Sequence, residues 1–206
     1  MNFFISQLYN SPFLFFTVIV SLTLSVCIHE FCQAFAALKC GDSTAADAGH
    51  LTLNPLKQMG VWSIIMLLTM GFCWGAVPVN NACLTRKQRL IVALAGPGAN
   101  LLLFACGIAM FVIAGNIASD ILMPVSLIFA QLNIVLFFIN ILPVPGFDGG
   151  TVLSELLPMH KLYSTEAGKG IMLGAILLFF YSSSYIFDLA NLVTMQVANF
   201  FWGLFA

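Results

Sequence analysis

Residues 12–38 read PFLFFTVIVSLTLSVCIHEFCQAFAAL, a long apolar run that carries His29 and Glu30 in its second half and is closed by Lys39. A run of this length crosses a bilayer as a helix, since the hydrocarbon core needs roughly 20 apolar residues. At 1.5 Å per residue, His29 and Glu30 then lie roughly 15 Å inside the Lys39 end. Ionisable side chains at that depth are costly, so they need a partner or a wet cavity and point to function. A purely structural His/Glu pair bonded to neighbouring helices is the plainer alternative.

The remaining composition agrees with a membrane protein. Of 206 residues, 61% are hydrophobic and only 7% charged, with a mean hydropathy of +1.02; no water-facing globular surface is built from such a mixture. Seven Lys and Arg against eight Asp and Glu leave a formal net charge of -1, which excludes an electrostatic footprint for nucleic acid. The first residues have neither a basic leader region nor a small-residue cleavage site, which predicts a retained first helix rather than a signal peptide. Six cysteines (Cys27, Cys32, Cys40, Cys73, Cys83 and Cys106) show no CxxC spacing; they read as small core residues, not as a disulfide framework.

Working outward, four stretches are apolar enough to span: residues 12–38, 90–115, 122–142 and 170–189. A further stretch, 61–79, is broken by Gly71, Gly75 and Pro78, a pattern that weakens a straight helix. Basic residues flank it on both sides, Lys39 and Lys57 before and Arg86, Lys87 and Arg89 after. The positive-inside rule places both flanks in the cytoplasm. A segment whose ends share one side does not cross, so residues 60–79 read as a re-entrant hairpin buried among helices. The loop 115–121 is then outside, the basic loop 143–169 inside, and the apolar tail 191–206 lies in the interface or returns partway, anchored by Trp202. The expectation is a single all-α polytopic membrane domain over residues 1–206, with about four transmembrane helices plus the hairpin.

His29-Glu30-Phe31-Cys32-Gln33 is one residue away from H-E-x-x-H, which sets two imidazoles on one helix face for zinc, with the glutamate as general base. A third ligand is available from NILPVPGFDGG, residues 140–150, in which Asp148 emerges at the cytoplasmic end nearer His29. Taken alone, Asp148 also reads as a turn-initiating loop residue.

These segments resemble the site-2 protease family of intramembrane zinc metalloproteases, in the compact bacterial type without a regulatory domain. His29-Glu30, LTLNPLK (51–57), ALAGPGAN (93–100) and NILPVPGFDG (140–149) match its signatures in order. The resemblance implies that Asp148 completes the zinc site, that Glu30 activates water, and that Asn140 holds the substrate or polarises its carbonyl. It also implies a transmembrane or signal-type helix as substrate and a bacterial cytoplasmic membrane, with the active site towards the cytoplasm.

Two positions depart from the pattern. Gln33 stands where the second ligand histidine is expected, and Gln58 where many relatives carry another histidine. A glutamine oxygen is a poorer zinc ligand than imidazole. Cys32, at i+3 from His29, is a possible substitute ligand or an inert apolar filler. His50 and His160 have no ligand spacing to His29. Three readings follow: a protease with a variant zinc site, a pseudoprotease that binds membrane helices without cutting, and a transporter whose His29/Glu30 pair lines an ion path. The last lacks the inverted repeat or paired broken helices of many carriers.

Overall fold

A computed structural model describes residues 4–157 and 165–205. Six helices organise it: α1 (Pro12–Lys39), α2 (Gly60–Met70), α3 (Arg86–Asn116), α4 (Leu122–Ile141), α5 (Asp148–Leu156) and α6 (Glu166–Phe205). Among the described residues, α1, α3 and α4 are the helices long and apolar enough to cross a membrane. Their 28, 31 and 20 residues correspond to about 42, 46 and 30 Å, against a hydrocarbon core of about 30 Å.

α2 is different. Its 11 residues rise only about 16 Å, half of what a crossing requires. Gly71 ends it in the left-handed conformation (φ +73°), as glycine does at helix C-termini, and the chain returns through residues 72–80 without regular secondary structure. The excursion ends beside the Lys39 end of α1. The backbone N–H of Asn80 donates to Asp42 Oδ2 (2.7 Å), and Gln88 of α3 donates to the Cys40 carbonyl (2.8 Å). The expected hairpin is thus a short helix followed by a non-helical return.

A non-helical chain at membrane depth needs partners for its amides. Ser63 of α2 supplies two: its Oγ accepts from Trp74 N (2.9 Å) and donates to Trp74 O (2.7 Å). Ala76 N donates to the Gln58 carbonyl (3.1 Å). Phe4 packs on Gly71 and stacks on Phe15 at 5.2 Å, which ties the N-terminal segment to the turn.

α3 packs chiefly against α4 and α1. One apolar cluster joins α3, α4 and the far half of α6 through Phe104, Ile108, Ala130, Ile134, Ala190 and Ala198. A second lies between α1 and the hairpin, around Leu22, Val26, Cys27, Met59 and Leu67. The expected fourth span, 170–189, and the expected interfacial tail, 191–206, need correction. They form one 40-residue helix, α6, because the stretch after Leu189 carries neither Pro nor a turn sequence and buries Ala190, Thr194 and Ala198. Trp202 lies on Gly115 and against Phe111, so the tail follows the end of α3. The basic loop also hides a helix: α5 starts at Asp148. His160 and Lys161 lie outside the described residues.

Ser63→Ala should strip both partners from Trp74 in a water-poor site. An unpaired buried backbone group costs about 1–3 kcal/mol. Lower thermal stability and faster alkylation of Cys73, localised by mass spectrometry, are expected; unchanged Cys73 reactivity would mean that Ser63 does not hold the return strand.

Candidate functional site

His29 and Glu30 are 6% and 7% exposed, and each rests on a glycine of another element. A Cβ on Gly96 of α3 would overlap the His29 ring, and one on Gly75 of the return strand would overlap the Glu30 carboxylate. Gly96 therefore serves close approach of α3 to α1, as small residues do between membrane helices. Pro97 is accommodated inside α3.

Both nitrogens of His29 are engaged. Nδ1 is 2.5 Å from Asn100 Oδ1 on α3. Nε2 is 3.0 Å from Asp148 Oδ2 and 3.2 Å from Gln33 Nε2. Gln33 Nε2 also donates to Asp148 Oδ1 (2.6 Å). Asp148 is the first residue of α5, where the positive end of the helix dipole favours a carboxylate. Its delivery depends on α5 being held against α3: Arg89 grips Glu155 with two bonds of 2.6 and 2.8 Å, and Arg86 donates to the Leu156 carbonyl (3.2 Å).

Asp148 Oδ2 is buried and has no hydrogen-bond partner, yet it stands 3.0 Å from a ring nitrogen. A carboxylate oxygen only accepts, so the contact needs a cation between the two atoms, either a proton on Nε2 or a metal ion. The spacing suits an ion: ligand atoms on a tetrahedral zinc at about 2.0–2.1 Å lie about 3.3 Å apart, near the separations seen here. Gln33 completes the cluster as a third head group. A half-turn of its amide exchanges nitrogen for oxygen and presents a neutral oxygen donor. The donor set thus fits a divalent cation, with one ligand weaker than imidazole.

The remaining expected residues divide. Asn140 lines the same cleft and returns one N–H to the Leu136 carbonyl (3.0 Å). Cys32 does not join: it is absent from the cleft lining, and among the described residues no three His, Cys, Asp or Glu side chains form a metal-holding group. At i+3 it turns too far round α1 to follow Gln33 towards Asp148. Gln58, expected to bear on metal chemistry, is a structural staple instead. Its amide donates to the carbonyls of His50 (2.8 Å) and Thr52 (2.5 Å). Sequence reasoning read Gly96 as a small face for close helix approach but missed the roles of Asn100, Asn133 and Gly75. Asn133 carried a usable signal as a polar amide in the middle of an apolar span.

The cleft that gathers these groups has a volume of about 800 Å³. Residues 70–77 form one wall, α1 contributes Val18, Leu22 and Val26, and Leu132, Val135, Leu136 and Ile139 of α4 form the other. It is an apolar trench with its polar chemistry at one end.

Comparisons with known proteins agree with one another. The profile of Peptidase family M50 matches residues 105–182, which include Asn140 and Asp148 but not the His29 helix. The chain is 38% identical over 158 residues to the Bacillus subtilis protein named "Putative zinc metalloprotease YwhC", covering 71% of this chain and 70% of that one. It is 35% identical over 142 residues to "Putative zinc metalloprotease Rip2" of Mycolicibacterium smegmatis, covering 66% and 55%. The protein of the same name from Mycobacterium tuberculosis H37Rv is 30% identical over 173 residues, covering 81% and 67%. No solved structure matches the chain.

Gly75→Ala should destabilise the fold in the parent chain and do so much less when Glu30 is also Ala, since the clash needs both side chains. Contacting pairs couple by about 0.5–3 kcal/mol. Unfolding of the two single variants and the double variant in detergent measures the coupling; additive effects would show that Glu30 does not lie on Gly75.

Proposed function

The chain belongs to peptidase family M50, the site-2 proteases, and on that premise we propose that it is an intramembrane metalloprotease whose His29, Gln33 and Asp148 hold a zinc ion and whose Glu30 activates water. The observation that carries this reading is the convergence of His29, Gln33 and Asp148 in the cleft that Glu30 also lines. When bound, zinc would polarise a carbonyl and bring the pKa of its water towards about 7.

The chain's own groups do the rest. Glu30, adjacent to His29 and pressed on Gly75, takes the proton from water and returns it to the leaving amide nitrogen. Asn140 keeps one amide N–H beyond its bond to Leu136 and uses it on the substrate backbone. A substrate helix must unwind to expose a peptide bond, and the return strand receives it. Successive amides of an extended chain point to opposite edges. With Trp74 and Ala76 tied to Ser63 and Gln58, residues 73, 75 and 77 offer the opposite edge for strand addition. The apolar walls suit a single-span or signal-type helix in a bacterial cytoplasmic membrane. Lys39 closes α1 and Arg86, Lys87 and Arg89 open α3, joined by the Gln88–Cys40 bond, which supports a cytoplasmic location for the cut.

One observation favours a second reading. The Gln33 amide donates to Asp148 at 2.6 Å, pairing the carboxylate from within. A chain that kept this bond in place of a metal would bind membrane helices without cutting them.

Elemental analysis of the detergent-purified protein beside Gln33→His separates the two. Near one zinc per chain in the parent supports the protease reading; zinc in Gln33→His alone supports the non-cutting one. In a zinc-bound protein, Glu30→Gln should abolish cleavage of a model membrane substrate while leaving metal content nearly unchanged, and retained cleavage would remove Glu30 from the mechanism.

A further inference from the structure

Behind His29, away from Gln33 and Asp148, a line of amides runs through three helices. Asn100 Oδ1 lies 2.5 Å from His29 Nδ1. Asn100 Nδ2 donates to Asn133 Oδ1 on α4 (3.1 Å), and Asn133 Nδ2 donates to the Phe129 carbonyl (2.9 Å). Both asparagines are fully buried, so no water relieves a mismatched pair.

We propose that Asn100 and Asn133 are positioning residues that set the tautomer of His29, with the Phe129 carbonyl dictating the direction of the whole line. The argument needs only donor and acceptor identities. A backbone carbonyl accepts and never donates, so Asn133 must turn its Nδ2 towards Phe129. Its Oδ1 then faces Asn100, which must answer with Nδ2. The Oδ1 left over on Asn100 faces His29 and accepts from an N–H on Nδ1. Reversing either amide sets oxygen against oxygen or N–H against N–H somewhere along the line. A neutral His29 so held carries its proton on Nδ1 and leaves the Nε2 lone pair aimed at Asp148 and Gln33, the form in which imidazole ligates a metal. Ligating histidines in general are oriented through their second nitrogen; here the orientation originates two residues and two helices away, on α4.

The use of Nε2 rests on the metal-site reading, whereas the tautomer does not, and the experiment separates them. The full chain, labelled with 15N-histidine, freed of metal and held in detergent above the usual histidine titration range, is examined by long-range 1H–15N correlation, with His29→Gln identifying the signal. The parent should carry a proton on Nδ1, with or without a second one shared between Nε2 and Asp148. Asn133→Leu, which removes nothing that touches His29, should lose that preference. Asn100→Asp combined with Asn133→Leu should restore it, because a carboxylate can only accept; a purely structural role for Asn133 predicts no such rescue. A parent whose Nδ1 carries no proton, or an unaltered ring in Asn133→Leu, overturns the proposal. Asn133→Ala takes its place if the leucine variant does not fold. In a parallel zinc competition, Asn133→Leu should bind about 10–100-fold more weakly, with recovery in the double variant. A parent that binds no zinc removes the metal-site reading, and the tautomer measurement still decides the line of amides.

Discussion

The contact between His29 and Asp148 is the constraint around which the molecule is arranged. Hydrocarbon offers no water to an imidazole or a carboxylate, so α1 can carry His29 and Glu30 at mid-depth only if other elements bring complementary groups to them. α5 delivers Asp148 from the far side of the cleft, α3 delivers Asn100 and the bare surface of Gly96, and the return strand delivers Gly75. Each of these elements is in turn held at the end near Lys39, by Arg89 on Glu155 and by Asp42 on Asn80.

Gln33 changes the chemistry of that centre without changing its place. A carboxamide is donor and acceptor at once, so it either closes Asp148 from within or turns its oxygen to an ion. The magnitudes indicate which effect governs. A hydrogen bond to a charged group contributes about 1.5–3 kcal/mol, whereas a full zinc site in a small domain binds with about 10–16 kcal/mol. The Gln33–Asp148 bond alone is too weak to exclude an ion from a good site. The exchange of imidazole for a neutral oxygen matters more, because it weakens the site itself.

The return strand follows the same economy of polar groups. Ser63 satisfies Trp74 on both sides and Gln58 takes Ala76, which leaves the opposite edge beside the cleft. Residues 70–77 line the cleft that also holds His29, Glu30 and Asp148.

Much of this was legible in residue order alone. The three long spans follow from apolar runs, the hairpin from glycines, a proline and basic flanks on both sides, and the candidate site from ionisable residues in a lipid-soluble helix. These signals are local, since bilayer thickness and charge act on any stretch of chain regardless of its neighbours. What the sequence could not decide depended on distance between remote residues. Whether Cys32 or Gln33 faces Asp148 is a matter of a fraction of a turn on α1 measured against the position of α5. Gln58 looked like a lost ligand until its amide was seen bonding the 50–52 loop. The end of the last span was misplaced because nothing in residues 191–206 announces that small side chains there pack on α3 and α4. The pairing of Asn133 with Asn100, and through it the proton on His29, exists only because three helices meet, and hydrogen-bond direction is a property of the meeting, not of any one segment.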